Sequence, residues 1–391
     1  MKITHESMVK LNPFLVQKDK KNLIIEDLTT GEFYEMPEVC VAAIEKINEG
    51  LSLKEIENEL KIKYPNEDVD LIAFMQQLLE LQMVHELDGH IIETTNIQSE
   101  QLGFSWISPK IGKLFFNRYA NIGYFILFVI NIVLFIINPP LFPHFTDLFI
   151  FESMTMNMIL WFLVGGVLIL IHEFGHILAI RQHGFPTKLE VGHRLFLIVF
   201  ETDLSLAWKL PPKKRNILYL AGLSFDIVLI FFSLFIQLLY PDAPSIVIAI
   251  LKFIVLDVAI RILYQCCIYM KTDLYYVFEN MTSCYNLMEN AKEYVKNLLG
   301  NKRNSILFKE EKNMILLYGV LYMIGTGLSL ALFVFYYIPQ LVLFIRKVFP
   351  GMTEPINSLS FWDSSLVIVQ IFIALSILIF SWRKKYRVKV A

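Results

Sequence analysis

The sequence predicts a mainly α-helical, multi-pass membrane protein with a small α+β, winged-helix-like domain at its N-terminus. Three observations predict it. Of the 391 residues, 55% are hydrophobic and 14% aromatic, and the mean hydropathy is +0.52, above what a soluble globular chain shows. Apolar runs of the roughly 20 residues that a membrane helix needs recur from residue 120 onward. Charge is also segregated. Residues 1–100 hold 9 Lys, no Arg and 20 Asp+Glu, a net -11; of the totals of 35 basic and 37 acidic residues, 26 and 17 remain for the rest, a net +9.

The N-terminal domain, 1–95, is built in order. Within residues 12–36, NLIIEDLTTGEFYEM reads as two short strands about Thr30 and Gly31. A helix from Pro37 to Asn48 stops at Gly50. The next opens on Ser52 and Glu55 as a capping box, with Leu51 placed to staple onto Ile56. A third sets Leu71, Phe74, Met75, Leu78 and Leu79 in one core-facing stripe. MVHELDGHIIE then reads as strand, Asp88-Gly89 turn, strand. A domain of this negative charge repels phosphate, which excludes nucleic acid as a partner and favours a cationic or apolar peptide.

Residues 96–119 form a polar linker that turns amphipathic, 120–382 a membrane domain, and 383–391 a basic tail. Six spans are expected, at about 120–138, 155–180, 216–239, 245–270, 314–339 and 364–381. The loops 139–154 and 240–244 contain no Lys or Arg. The opposite loops hold Lys188, Arg194, Lys209, Lys213, Lys214, Arg215, Lys271, Lys292, Lys296, Lys302 and Arg303, and only Arg346 and Lys347 point the other way. The positive-inside rule therefore expects a cell-membrane protein with both termini cytoplasmic. MKITHESMVK lacks the apolar core of a signal peptide, so the first span is expected to act as its own signal. Cys40, Cys266, Cys267 and Cys284 show no zinc-finger spacing and are expected to be reduced thiols.

The second span contains HEFGH. His172 and His176 lie four residues apart on one helix face, where both imidazoles reach a single ion, and Glu173 stands beside the first. Polar groups at mid-bilayer need partners, an ionised one costing about 2.5–3.5 kcal/mol there. A metal ion supplies one, and nitrogen ligands, a carboxylate and an open position suit catalytic zinc, whose bound water has a pKa of about 7. The third ligand is expected to be Asp273, in YMKTDLYYVFEN, where the fourth and second spans end together; the alternative is an interfacial pair with Lys271. FPTKLEVGHRLFLIVFETDLSLAW holds an apolar run too short to cross, read as strands: either a re-entrant hairpin lining the site, whose edge could pair with an extended substrate, or a plain cytoplasmic sheet. Asp257 and Arg261, four apart, read as a structural ion pair.

HEFGHILA (172–179), ETDLSLAWKLPPKKRN (201–216), YLAGLSFD (219–226) and KTDLYYVFENMTSCYNLMENAKEYV (271–295) together resemble the site-2 proteases, intramembrane zinc metalloproteases, and in particular their peptide zinc metalloprotease branch, found beside ribosomally made, modified peptides. The resemblance implies a site-2-protease-like core with a β-hairpin insertion. It makes His172, His176 and Asp273 ligands of Zn2+ and Glu173 the general base. Two departures stand out. The family's Ala-Gly-Pro-x-x-Asn is here Ala221-Gly222-Leu223-Ser224-Phe225-Asp226, and its Asp-Gly is Asp273-Leu274. Gly222 and Asp226 are thus the candidates for substrate binding, although Asp226 reads equally as support for another group or as a buried, protonated acid. The N-terminal domain resembles the pyrroloquinoline-quinone peptide chaperone, which binds leader sequences. The implied function is cleavage of a ribosomally made precursor peptide at the bilayer, with a peptide-modifying enzyme or exporter as further partner. The alternatives are regulated cleavage of a signalling protein, for which the exterior loops are too short to sense anything, and a non-catalytic, protease-like peptide-binding or export component.

Overall fold

A computed structural model describes residues 3–20, 22–92, 103–194, 197–299 and 311–387. Lys302 and Arg303, residues 93–102 with the start of the linker, and the last tail residues, 388–391, lie outside the described residues.

The N-terminal domain opens with β1 (Val9–Leu11), β2 (Phe14–Asp19), β3 (Asn22–Asp27) and β4 (Phe33–Met36), followed by α1 (Glu38–Asn48), α2 (Leu53–Lys63) and α3 (Leu71–Glu80), then β5 (Val84–Leu87) and β6 (His90–Ile91). Two antiparallel three-stranded sheets result, in the orders β2-β3-β4 and β1-β5-β6. The expected local signals are present. Ser52 and Glu55 cap α2 reciprocally, and Asp88 and Gly89 both take the positive φ that a tight hairpin needs. Of the α3 stripe, Leu71, Met75 and Leu78 are buried, with Phe74 and Leu79 packed on the flanks of the same core as Ile25, Ile44, Ile56 and Val84. Strand β1 is not apparent in the sequence, because its partner β5 lies more than 70 residues away and nothing local marks it.

The body follows with α4 (Pro109–Phe115), α5 (Arg118–Ile137), α6 (Met154–Arg181), the hairpin β7 (Leu189–Arg194) and β8 (Leu197–Thr202), then α7 (Pro212–Tyr219), α8 (Ala221–Leu239), α9 (Ser245–Gln265), α10 (Asp273–Thr282), α11 (Leu287–Leu299), α12 (Lys312–Leu332), α13 (Ile338–Val348) and α14 (Leu359–Arg387). Among the described residues five helices are long and apolar enough to cross a membrane: Arg118–Ile137, Met154–Arg181, Ala221–Leu239, Lys312–Phe335 and Leu359–Ile377. The expected fourth span forms a helix of 21 residues, α9, but Lys252, Asp257 and Arg261 keep it out of that set. The third begins later than expected because the chain turns at Leu220 between α7 and α8. The fifth runs on through a π-helical turn, Phe333–Tyr337, into α13. All four cysteines are free thiols.

Helices α6, α8 and α9 pack around Leu168, Ile230, Leu234, Val255 and Val258. The N-terminus of α6 is held by Asp363 of α14, whose carboxylate accepts from Ser153 Oγ (2.5 Å) and from the backbone of Met154 and Thr155. Helix α6 approaches α8 closely at Gly175, where a Cβ would lie 2.7 Å from the Ala221 carbonyl.

The N-terminal domain is docked on the body through the β2–β3 end. Asp19 pairs with Arg215 of α7 and accepts from Tyr285 Oη at 2.8 Å. The Arg215 side chain is 1% exposed and its guanidinium lies 4.6 Å from the Trp208 ring centre. Around this pair Gln17 donates to the Trp208 carbonyl (2.9 Å), Asn22 to that of Ser283 (2.9 Å) and Lys20 to that of Asn280 (2.7 Å), and Lys209 pairs with Glu26 (2.5 Å).

Candidate metal centre

Both histidines lie in the last three turns of α6, buried with Glu173 between them. Their outer ring nitrogens are already engaged. His176 Nδ1 lies 2.9 Å from the Leu218 carbonyl, which can only accept, so Nδ1 carries the proton. His172 Nδ1 lies 2.7 Å from Asp226 Oδ2, and a carboxylate there fixes the same tautomer. In the neutral imidazoles both Nε2 atoms then carry lone pairs. They face each other at 3.4 Å, and one oxygen of Asp273, Oδ2, lies 3.1 Å from the first and 3.3 Å from the second.

A proton on an imidazole or a metal ion shared among them can hold these three atoms within 3.1–3.4 Å of one another. The spacing is that of a coordination shell: ligands about 2.0–2.1 Å from a tetrahedral ion stand about 3.3–3.4 Å apart. His172, Glu173 and His176 likewise form a group with ligand atoms within 4.8 Å of one another that could hold a metal ion. Between the two carboxylates, Asp273 has the better ligand geometry, because its Oδ2 touches both imidazoles. Glu173 Oε2 is turned toward β8, accepting from Thr202 N at 2.9 Å and Thr202 Oγ1 at 2.8 Å.

Asp273 is placed by Gln265 at the end of α9. The Gln265 side chain donates to Asp273 Oδ2 and accepts from the Asp273 amide, both at 2.9 Å, while Thr272 caps α10 and ties back to the Gln265 carbonyl. Nothing local in the sequence marks Thr202, the Leu218 carbonyl or Gln265, the last residue of α9, as part of this centre.

The other candidates take different places. A Cβ on Gly222 would lie 2.3 Å from His172 Nε2, so this glycine makes room for the imidazole. Asp226 is fully buried against His172 and is not among the residues lining the adjoining cavity. Asp257 and Arg261 pair as expected, with Nε to Oδ2 at 3.1 Å, and Arg261 Nη2 lies 3.9 Å from Asp226 Oδ1.

Glu173, His176 and Asp273 open onto a cavity of about 330 Å³, walled also by Glu190, Glu201, Asp203, Trp208, Tyr219 and Tyr276. Glu190 and Glu201 are directly opposed across the β7–β8 pair, an arrangement of like charges that costs stability, in part offset by Lys188 at 2.8 Å from Glu190. Trp208 joins this wall to the docked N-terminal domain. Further along α10, burial pushes the Glu279 carboxyl up to about 7, opposed by hydrogen bonds from Tyr275 Oη and the Leu287 amide.

Compared with protein-family models, curated proteins and solved structures, the chain matches none.

Proposed function

We propose that this chain is an intramembrane zinc metalloprotease of site-2 protease type that cleaves a ribosomally made precursor peptide. The observation that supports the reading is the convergence of two imidazole Nε2 atoms and one aspartate oxygen, a set that could hold a metal ion. Two imidazoles and a carboxylate at tetrahedral spacing suit zinc. His172, His176 and Asp273 would hold it; bound there, it would polarise the scissile carbonyl and acidify water.

The remaining steps belong to the chain. Glu173 takes the proton from the attacking water and returns it to the leaving amine. Thr202 keeps the Glu173 carboxylate aimed through two hydrogen bonds to one oxygen, leaving the other oxygen for the proton. An extended segment can pair with an edge of the β7–β8 hairpin, which exposes scissile carbonyls that a helix would hide. Glu190, Glu201 and Asp203 favour a cationic segment there. The N-terminal domain, fixed beside Trp208, delivers the peptide to this wall, and both termini face the cytoplasm.

The purified full-length protein, given the small peptides encoded beside its gene, should cleave one of them, and Glu173→Gln should keep the metal and abolish cleavage. Undiminished cleavage by Glu173→Gln, or loss of its metal, would overturn the assignment.

A further inference from the structure

The carboxylate at 226 stands where the resemblance expects an amide, and it is not on the cavity wall. Helix α8 presents it from behind the metal centre. Asp226 Oδ2 accepts a hydrogen bond from His172 Nδ1 at 2.7 Å, and the residue is 0% exposed. Its other oxygen has no hydrogen-bond partner among the described residues. The nearest opposite charge is Arg261, whose Nη2 lies 3.9 Å from that oxygen and whose Nε lies 3.1 Å from Asp257 Oδ2. A chain of contacts thus runs from α9 through α8 to the ligand: Asp257, Arg261, Asp226, His172.

A carboxylate deep in an apolar helix pair is costly to bury and is retained only where something it contacts needs it. A structural ion pair would have been complete with Asp257 and Arg261 alone, on one helix and four residues apart. Asp226 adds a second acid to that pair and spends its better-placed oxygen on a ring nitrogen. Two further features fix the same ring. Gly222, one turn before Asp226 on α8, leaves the space that the imidazole fills, and Asp273 meets the opposite nitrogen. We infer that Asp226 is a positioning residue of the metal centre: it sets the tautomer and orientation of His172, and Arg261, held by Asp257, balances its charge.

The inference rests on the metalloprotease reading, and the test separates the two. Wild-type protein, Asp226→Ala, Asp226→Asn and Arg261→Gln are purified whole in detergent. Zinc affinity is measured by chelator competition, the visible spectrum is recorded after cobalt substitution, and thermal unfolding of the metal-free forms is followed. Asp226→Ala should bind zinc about 10–100-fold more weakly and shift the cobalt spectrum, the usual size of effect for a group that orients a ligand. Asp226→Asn, whose amide oxygen still accepts from Nδ1, should recover part of that loss and still bind zinc at least about threefold more weakly than wild type. Arg261→Gln, which touches no ligand, should weaken zinc by a smaller factor. A merely structural role would lower the unfolding temperature of the metal-free protein and leave affinity and spectrum alone. If Asp226→Ala does not fold, Asp226→Asn decides by itself. Affinity within twofold of wild type and an unchanged cobalt spectrum in a folded Asp226 variant overturn the inference. Failure of the wild type to bind zinc overturns the metalloprotease reading first.

Discussion

Replacing Asp19 by Asn removes the counter-charge of a buried arginine in the joint between the two parts of the molecule. Arg215 is 1% exposed on its side chain, and its Nε and Nη1 lack hydrogen-bond partners among the described residues, so Asp19, Tyr285 Oη and the Trp208 ring carry its stabilisation. Breaking one side of a buried pair costs about 3–5 kcal/mol, because the other charge stays buried without compensation. At about 1.4 kcal/mol per tenfold, opening of the joint should become more frequent by a factor on the order of 10² to several times 10³. Hydrogen exchange of the full chain in detergent reads this directly. Peptides covering 205–219 and 278–288 should exchange faster in Asp19→Asn. The double variant Asp19→Asn with Arg215→Met should return most of the protection, since a buried pair removed whole costs little. Wild-type exchange in the single variant, or additive losses in the double, would refute the view that this pair holds the N-terminal domain. The same joint changes what deletion of residues 1–95 should do. Loss of a domain that only captured the peptide would raise KM alone. The docked geometry instead predicts that kcat falls too, because Trp208 and the cavity wall lose their support.

Three other outcomes follow from particular residues. Gly222→Ala forces a methyl group to 2.3 Å from a ring that Asp226 and Asp273 hold in place, so zinc affinity should drop tenfold or more; Gly166→Ala, with nothing within 4 Å, should be neutral in the same titration. Glu279, 6% exposed, has its folded-state pKa raised to about 7, so its contribution to stability is full below an unfolded value near 4.5 and is lost as pH rises to about 7. Burial of the ionised form then costs about 3 kcal/mol, and the unfolding temperature of Glu279→Gln relative to wild type should rise between about pH 5 and pH 8; a pH-independent difference would contradict the assignment. Single cysteines at Asp242 and Thr353, in a cysteine-free background, should react with an impermeant reagent outside cells and one at Glu49 should not; reversed labelling would invert the topology.

Much of the framework was legible because its signals are local. The capping box at Ser52, the turn at Asp88-Gly89, the β7–β8 run and the four-residue spacing of His172 and His176 each fit within a few residues. Features set by distant contacts were less legible. Thr202 meets Glu173 across 29 positions, Leu218 meets His176 across 42 and Asp226 meets His172 across 54, and no periodicity reports such pairs. Helix α9 was read as an ordinary span from its length. The spacing of Asp257 and Arg261 reports their pairing, but not that α8 brings Asp226 within 3.9 Å of Arg261. The docking of the N-terminal domain is not legible either, because neither Asp19 nor Arg215 carries any mark of the other.

The most direct test of the central claim is metal analysis of the purified full-length chain beside its His176→Ala variant. Three acceptors converging on one point should hold about one zinc per chain in the wild type, and none should remain in His176→Ala, whose fold is checked by circular dichroism. A folded wild type without tightly bound metal, or a His176→Ala variant that keeps its zinc, would contradict the account.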